Sequence, residues 1–377
     1  MGLDYERALG FAAAGGVILG LSTTFYLAMI GRVTGISGTF KKAWLQSTFQ
    51  ASPDPLHLIF FGGLLCGGAI MRFTEAGWFE QGGYNTGLMV VSGLLVGFGT
   101  TLGSGCTSGH GLCGLARFSK RSLAAVCTFF STAVFIASSL WPIMRSAWQP
   151  SEHPVDSISN VRDLHYLSIG LGCTCTVFGL LKMAKEEKQS VLAGCVALAC
   201  SIGFACGLCI SGMVRPTKVH SFLALNKHWD PSLAFVLGGG LAVNILAWPI
   251  IMKWRKPILC QKWDIPTSTA IDLNVIVGGV LFGVGWGVGG VCPGPGLVGI
   301  AGPYGMSMLL WCFGCLIGSQ LMLLVKKVVA SQSGESVSPS VERRSSLLED
   351  GQKDGKQGAN YGARSDQTEH ADVIPHD

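Results

Sequence analysis

Nine predominantly apolar stretches divide the chain, at 10–31, 55–73, 85–104, 122–147, 164–183, 190–212, 231–252, 271–291 and 306–329. Each has roughly the 20 residues that a helix needs to cross the ~30 Å hydrocarbon core of a bilayer. No water is available there, so only helices and closed barrels can satisfy their own backbone. The pattern therefore predicts an all-α integral membrane protein with the lipid bilayer as its surroundings. Composition points the same way. Asp, Glu, Lys and Arg make up 13% of 377 residues, about half the share in a soluble domain. The net charge of +5 is mild and gives no sign of nucleic-acid binding. Of the 14 cysteines, most lie inside apolar stretches rather than polar loops, which excludes a secreted disulfide framework.

Between the spans lie four short, Gly- or Pro-punctuated segments, 33–49, 105–118, 213–226 and 292–304. They are too short to span and too apolar for ordinary loops, as re-entrant helices are. The order span, short segment, span occurs twice, a lone span follows, and the order occurs twice more. This predicts a first membrane half at 1–147, a connecting loop and central span at 148–189, and a second half at 190–330. An odd number of spans between corresponding elements inverts the second half, giving an inverted pseudo-repeat of about nine transmembrane helices and four short ones. Basic residues orient it: 20 of the 27 Lys and Arg fall on the side of the C-terminus and 7 on the other. The positive-inside rule then places the N-terminus outside and the C-terminus in the cytoplasm, with the plasma membrane as the expected location. The four short segments enter in pairs from opposite sides, so their tips should meet. Residues 331–377 are polar and unpatterned and read as a disordered cytoplasmic tail.

Two of the short segments carry a cysteine where a glycine-spaced span breaks. One is Gly103-Ser104-Gly105-Cys106-Thr107-Ser108-Gly109-His110-Gly111. The other is Gly287-Val288-Gly289-Gly290-Val291-Cys292-Pro293-Gly294-Pro295-Gly296. Pro293 suits the first position of a helix, and Thr107 and Ser108 offer capping oxygens. A thiol at a helix N-terminus faces backbone N–H groups and the positive end of the dipole, a setting that favours a thiolate or an anion beside the thiol. Broken helices at matching positions of two halves point to a transport site. The other two short segments pair a Ser-Gly break with a basic residue, Ser37 with Arg32 and Ser211 with Arg215 and Lys218. These serines could donate to an anion, and Arg215 and Lys218 could attract one or extend to lipid headgroups. His110 could donate to an anion, activate Cys106 or hold the turn. Cys206/Cys209 and Cys312/Cys315 have redox spacing but sit in apolar helices, where cysteine acts as a small apolar filler. No set of residues has metal-site or nucleotide-binding spacing, so neither a cofactor nor a metal is expected, and an enzyme is not the first reading.

At these motifs the chain resembles the YeeE/YedE family of sulfur transporters. Gly105–Gly111, Gly285-Trp286-Gly287 leading to Cys292-Pro293-Gly294-Pro295, Gly31-Arg32 through Ser37-Gly38, and Ile210-Ser211-Gly212-Met213 carry the likeness, which covers about 10–330. The resemblance implies an hourglass-like bundle whose thiols line a narrow thiosulfate path, with Cys106 and Cys292 as substrate contacts. Thiosulfate-favouring members carry a further cysteine in the first short helix, where this chain has Ser37. In that respect it looks like a branch usually split into two half-size proteins, here fused, and sulfide or persulfide stand beside thiosulfate as cargo. The expected function is uptake of a small sulfur anion along a path through Cys106, Cys292, Ser37, Ser211, Gly105, Ser108, His110, Pro293 and Lys218. The alternative is a membrane thiol relay, in which a cysteine persulfide hands sulfur to a cytoplasmic acceptor protein.

Overall fold

A computed structural model describes residues 2–46, 54–80, 85–147, 158–184, 188–227 and 229–332. Met1–Leu323 form one compact unit, and a second, Leu324–Asp377, is described only over the end of the last helix. The proposed tail thus lies outside the described residues from 333 onward. Among the described residues the regular structure is helical, apart from one isolated bridge between Arg32 and Asp264.

The first half contains α1 (Gly2–Ile30), a short α2 (Ile36–Lys41), α3 (Pro55–Thr74), α4 (Thr86–Leu102), a short π-wound helix (Thr107–Gly114) and α5 (Lys120–Ala147). The central helix is α6 (Ile158–Ala184). The second half contains α7 (Lys188–Ile210), a short α8 (Pro216–Leu223), α9 (Ser232–Ile251), α10 (Leu273–Gly289), a short α11 (Pro293–Gly299) and α12 (Gly305–Gln332). Long and short elements thus occur in the predicted order. Eight stretches are long and apolar enough to cross a membrane, one of them α10 and α11 taken together as Leu273–Gly299. With 17 residues, α4 passes the same test only together with the π-wound helix, to which it is bent by 49°, as in a broken span or a re-entrant loop. The helices α1 and α6 start at Gly2 and Ile158, well before the apolar stretches at 10 and 164. Apolarity marks the length in hydrocarbon, whereas backbone hydrogen bonding continues into polar residues.

Local signals place the helix starts. Asp54, Asn85 and Asp272 each accept a backbone N–H as N-caps of α3, α4 and α10, at 3.0–3.1 Å. The second thiol-bearing break needs a left-handed residue, and Gly290 supplies it at φ +65°.

Helix pairing exchanges between the halves as a two-fold pseudo-repeat requires. The α1–α9 pair is matched by α3–α7, and α1–α7 and α4–α10 pair corresponding helices. The α5–α10 pair is matched by α4–α12, and glycines make both close. A Cβ on Gly97 would collide with the Cys315 carbonyl of α12, and one on Gly283 would lie 2.6 Å from the Phe129 carbonyl of α5. Two residues further on, Gly99 and Gly285 bring α4 and α10 together.

The connections exchange too. Residues 75–80, between α3 and α4, grip the entry to α8. Arg215 donates to the Trp78 carbonyl at 3.1 Å and to that of Gly77, and Glu80 accepts the Thr217 N–H at 3.2 Å as well as its hydroxyl. On the opposite face residues 252–272, between α9 and α10, grip the first half. The Asp264 N–H donates to the Gly31 carbonyl at 2.8 Å, and its carboxylate lies 3.4 Å from Arg32, which also pairs with Asp54 at 2.6 Å. Arg117 and Arg121 donate to the Pro266 and Ala270 carbonyls, each at 2.6 Å.

Candidate functional site

The tips of all four short segments meet around one cavity of about 90 Å³. Ile36 comes from the first, Cys106, Thr107 and Ser108 from the second, Met213 from the third, and Cys292 through Pro295 from the fourth. The remaining wall is aromatic and aliphatic, with Phe129, Phe130 and Trp286 prominent. Among the described residues no Asp, Glu, Lys, Arg or His lines it. A space of this size holds a few waters or one small inorganic ion.

Both cysteines are N-cap residues in extended backbone, Cys106 at φ −137° and Cys292 at φ −98°, with Pro293 at the first helical position of α11. They are 1% and 3% exposed, so each thiol faces only the cavity or its protein neighbours. The Ile36 N–H donates to Ser108 Oγ at 3.2 Å, and Ser108 Oγ lies 3.3 Å from Cys106 Sγ. Either the hydroxyl or the thiol can donate in this contact, because a hydroxyl oxygen that accepts from Ile36 keeps a second lone pair. Thr107 and Cys292 line the same cavity. The first half thus brings both hydroxyl residues of the lining, Thr107 and Ser108.

Of the nine residues named from the sequence, Cys106, Cys292, Ser108 and Pro293 line the cavity. Gly105 and His110 stand beside it. A side chain at Gly105 would strike the His110 ring, whose Nδ1 lies 3.0 Å from Ser122 Oγ, so this pair fixes the turn. Ser37 is buried on α2 next to Ile36 but does not reach the cavity. Ser211 is fully buried and bonds locally: its hydroxyl donates to the Leu208 carbonyl at 3.0 Å and accepts the Met213 N–H at 3.4 Å. The Lys218 chain lies against Gly212, and the Arg215 guanidinium is held by carbonyls of residues 77 and 78. Sequence reasoning missed Thr107 and Trp286 as walls of the cavity. Thr107 read as a capping residue, and Trp286 sat in a glycine pattern that read as packing. All 14 cysteines are free thiols.

The second half, residues 192–333, matches a family of unknown function, DUF6691. Two curated proteins of Xylella fastidiosa, each named "Probable transporter", are also similar. The strain Temecula1 protein is 38% identical over 121 residues, which are 32% of this chain and 82% of the relative. The strain 9a5c protein is 38% identical over 115 residues, 30% of this chain and 79% of the relative. Each relative is thus well under half as long as this chain, the size of a single membrane half. A match of that identity across most of a relative's length places this multi-pass membrane protein in the same family as these probable transporters.

Proposed function

We propose that the protein carries a small inorganic sulfur anion, thiosulfate or a close relative such as hydrosulfide, across the plasma membrane between Cys292 and Cys106. The observation that carries this reading is the convergence of two thiol-bearing helix breaks, one from each half, on a single uncharged cavity. A fixed guanidinium there would trap a dianion. Thiols, hydroxyls and helix N-termini instead offer weak, successive sites that an ion can both enter and leave. Soft sulfur ligands and a soft sulfur solute suit each other. The resemblance to YeeE/YedE transporters supports the same cargo. With the N-terminus outside and the C-terminus in the cytoplasm, Cys292 belongs to the outer arm and Cys106 to the inner.

Passage is favoured over a covalent relay by the partner of Cys106. Activation by His110 would need a hydrogen bond between ring and thiol, whereas the thiol is paired with Ser108, the ring's Nδ1 is paired with Ser122 and its Nε2 lies against Gly105. The test is uptake by the purified protein in liposomes against a panel of sulfur anions, followed by mass spectrometry of the protein. Uptake that leaves both cysteines unmodified is the expected result. Persulfide on Cys106 or Cys292, with transfer to a cytoplasmic acceptor, would establish the relay instead.

A further inference from the structure

Residues 252–272, which join α9 to α10, present two unlike faces. The inner face is fixed to the bundle. Ile258 and Leu259 donate their backbone N–H groups to the Ala28 and Met29 carbonyls at 3.2 and 2.8 Å, closing the C-terminal end of α1. Trp263 and Ile265 pack on a small apolar cluster of Leu27, Ala28 and Ile251. The outer face is basic and apolar at once. Lys253, Arg255, Lys256 and Lys262 are exposed. Residues 253–262 contain no Asp or Glu, and among the described residues none of these four cations takes part in an ion pair. The matching connection of the first half, residues 75–85, has the opposite character, with Glu75 and Glu80 and no Lys or Arg. A solvated loop would account for the charges but not for Trp254 and Ile258, which are 39% and 52% exposed among them. Both follow closely on Leu246 and Ile250, the uncovered apolar residues at the end of the membrane-spanning α9. A tryptophan at the end of a span, flanked by Lys and Arg, matches the headgroup layer of a bilayer.

We infer that residues 253–258 bind the headgroups of anionic phospholipids. Lys253, Arg255 and Lys256 meet the phosphates, and Trp254 and Ile258 enter the interface beside the lipid. Charge complementarity selects the anionic class, and the exposed apolar pair selects a lipid over a free anion. The backbone of the loop is already held by α1, so its basic side chains are presented from a fixed support and little ordering is needed on binding. A lipid on the outer face would in turn hold the loop on α1, where the Asp264 N–H bonds the Gly31 carbonyl just ahead of α2. The inference concerns the lipid-facing surface and stands whatever the cargo is.

The test uses the full chain in neutral detergent, with phosphatidylglycerol, phosphatidylcholine or soluble glycerol phosphate added. Native mass spectrometry measures retained lipid, and thermal unfolding measures stabilisation. The parent should retain phosphatidylglycerol in preference to phosphatidylcholine and melt higher with it. The triple variant Lys253→Gln, Arg255→Gln, Lys256→Gln should bind phosphatidylglycerol at least about tenfold more weakly. Without lipid it should melt like the parent, because the changed side chains are exposed. Trp254→Ala should weaken binding by a smaller factor. Arg343→Gln, Arg344→Gln, Lys353→Gln, an equal change of charge outside the loop, should bind like the parent. If the triple variant melts low without lipid, Arg255→Gln alone carries the test, with weaker binding expected and parental binding contradicting the site. Equal retention of the two lipids by the parent would overturn the inference, as would an equal loss in the charge-matched control. Glycerol phosphate that raises the melting temperature as far as phosphatidylglycerol would also overturn it, since the loop would then be a site for free anions.

Discussion

The two thiol-bearing breaks occupy matching places in the halves, yet they are built differently. The first turns through Ser104, at φ +62°, into a π-wound helix and brings its own hydroxyls, Thr107 and Ser108. The second turns through Gly290 into Pro-Gly-Pro-Gly and brings none, so that the hydroxyls lining the cavity around both thiols come from the first half. Around them the scaffold is more alike. In each half the first short helix secures the broken end of the third span, Lys41 against the Thr100 carbonyl at 3.4 Å and His220 beside the Gly287 carbonyl at 3.0 Å. The pseudo-repeat thus supplies a common frame, while the halves divide the chemistry. The first contributes polarity and the second contributes shape, and neither half makes the site alone.

The common frame is tested most severely at its glycines. Gly97→Leu and Gly283→Leu place side chains where backbone carbonyls of α12 and α5 now lie. Both should abolish or gravely weaken folding, by more than about 3 kcal/mol. Membrane yield and thermal unfolding in detergent measure this. Tolerance at one site with failure at the other would mean that the two close contacts are not equivalent.

The division of chemistry predicts an asymmetry of intermediate size. Ser108→Ala leaves the buried Ile36 N–H unpaired, at a cost of about 1–3 kcal/mol, and removes the hydroxyl that pairs with Cys106. It should reduce both melting temperature and uptake. Thr107→Val should lower uptake while leaving α2 in place. Pro293→Ala, on the apolar side, should affect stability slightly and uptake least. Equal losses from all three would show that the second break contributes polarity as well.

The smallest effect is expected at the segment that grips Arg32. Asp264→Asn removes a partly exposed ion pair and should cost at most about 1 kcal/mol. Asp54 responds to pH. Burial alone would raise its carboxyl, but the Arg32 guanidinium outweighs this and holds it below the ordinary 3.8. A carboxyl depressed in the folded state stabilises above its unfolded value, and that contribution is lost as pH falls below about 3.8 towards the folded value. Melting temperature followed down from pH 6 should therefore drop at acid pH, and Asp54→Asn should flatten that part of the curve.

Much of this was legible in the chain. Apolar length located the spans, and their interruption by Gly103–Cys106 and Gly290–Pro293 located the breaks. The alternation of long and short segments implied that four tips would meet, as Ile36, Cys106, Met213 and Cys292 do. What could not be read was direction. Ser37 and Ser211 have the right chemistry in the right segments, but they point away from the cavity or bond within their own turn. Thr107 and Cys292 come to one cavity through packing between the halves, for which the sequence has no periodic signal. Nor does hydropathy reveal that residues 252–272 are held by Arg32, Arg117 and Arg121, because each bond ends on a backbone carbonyl or a carboxylate of a polar loop.

The central claim, that the two matched thiols line one path, is tested most directly by uptake of sulfur anions into liposomes containing Cys106→Ala, Cys292→Ala or Cys312→Ala. Cys312 is the control, as deeply buried as Cys292 but away from the cavity. Each cavity variant should lose at least about tenfold in uptake, which corresponds to about 1.4 kcal/mol, with normal insertion and melting temperature. Cys106→Ser should retain part of the activity because it keeps a donor, and Cys312→Ala should transport like the parent. Parental uptake by both Cys106→Ala and Cys292→Ala would contradict the thiol path and leave the two cysteines as packing residues in a glycine-rich bundle.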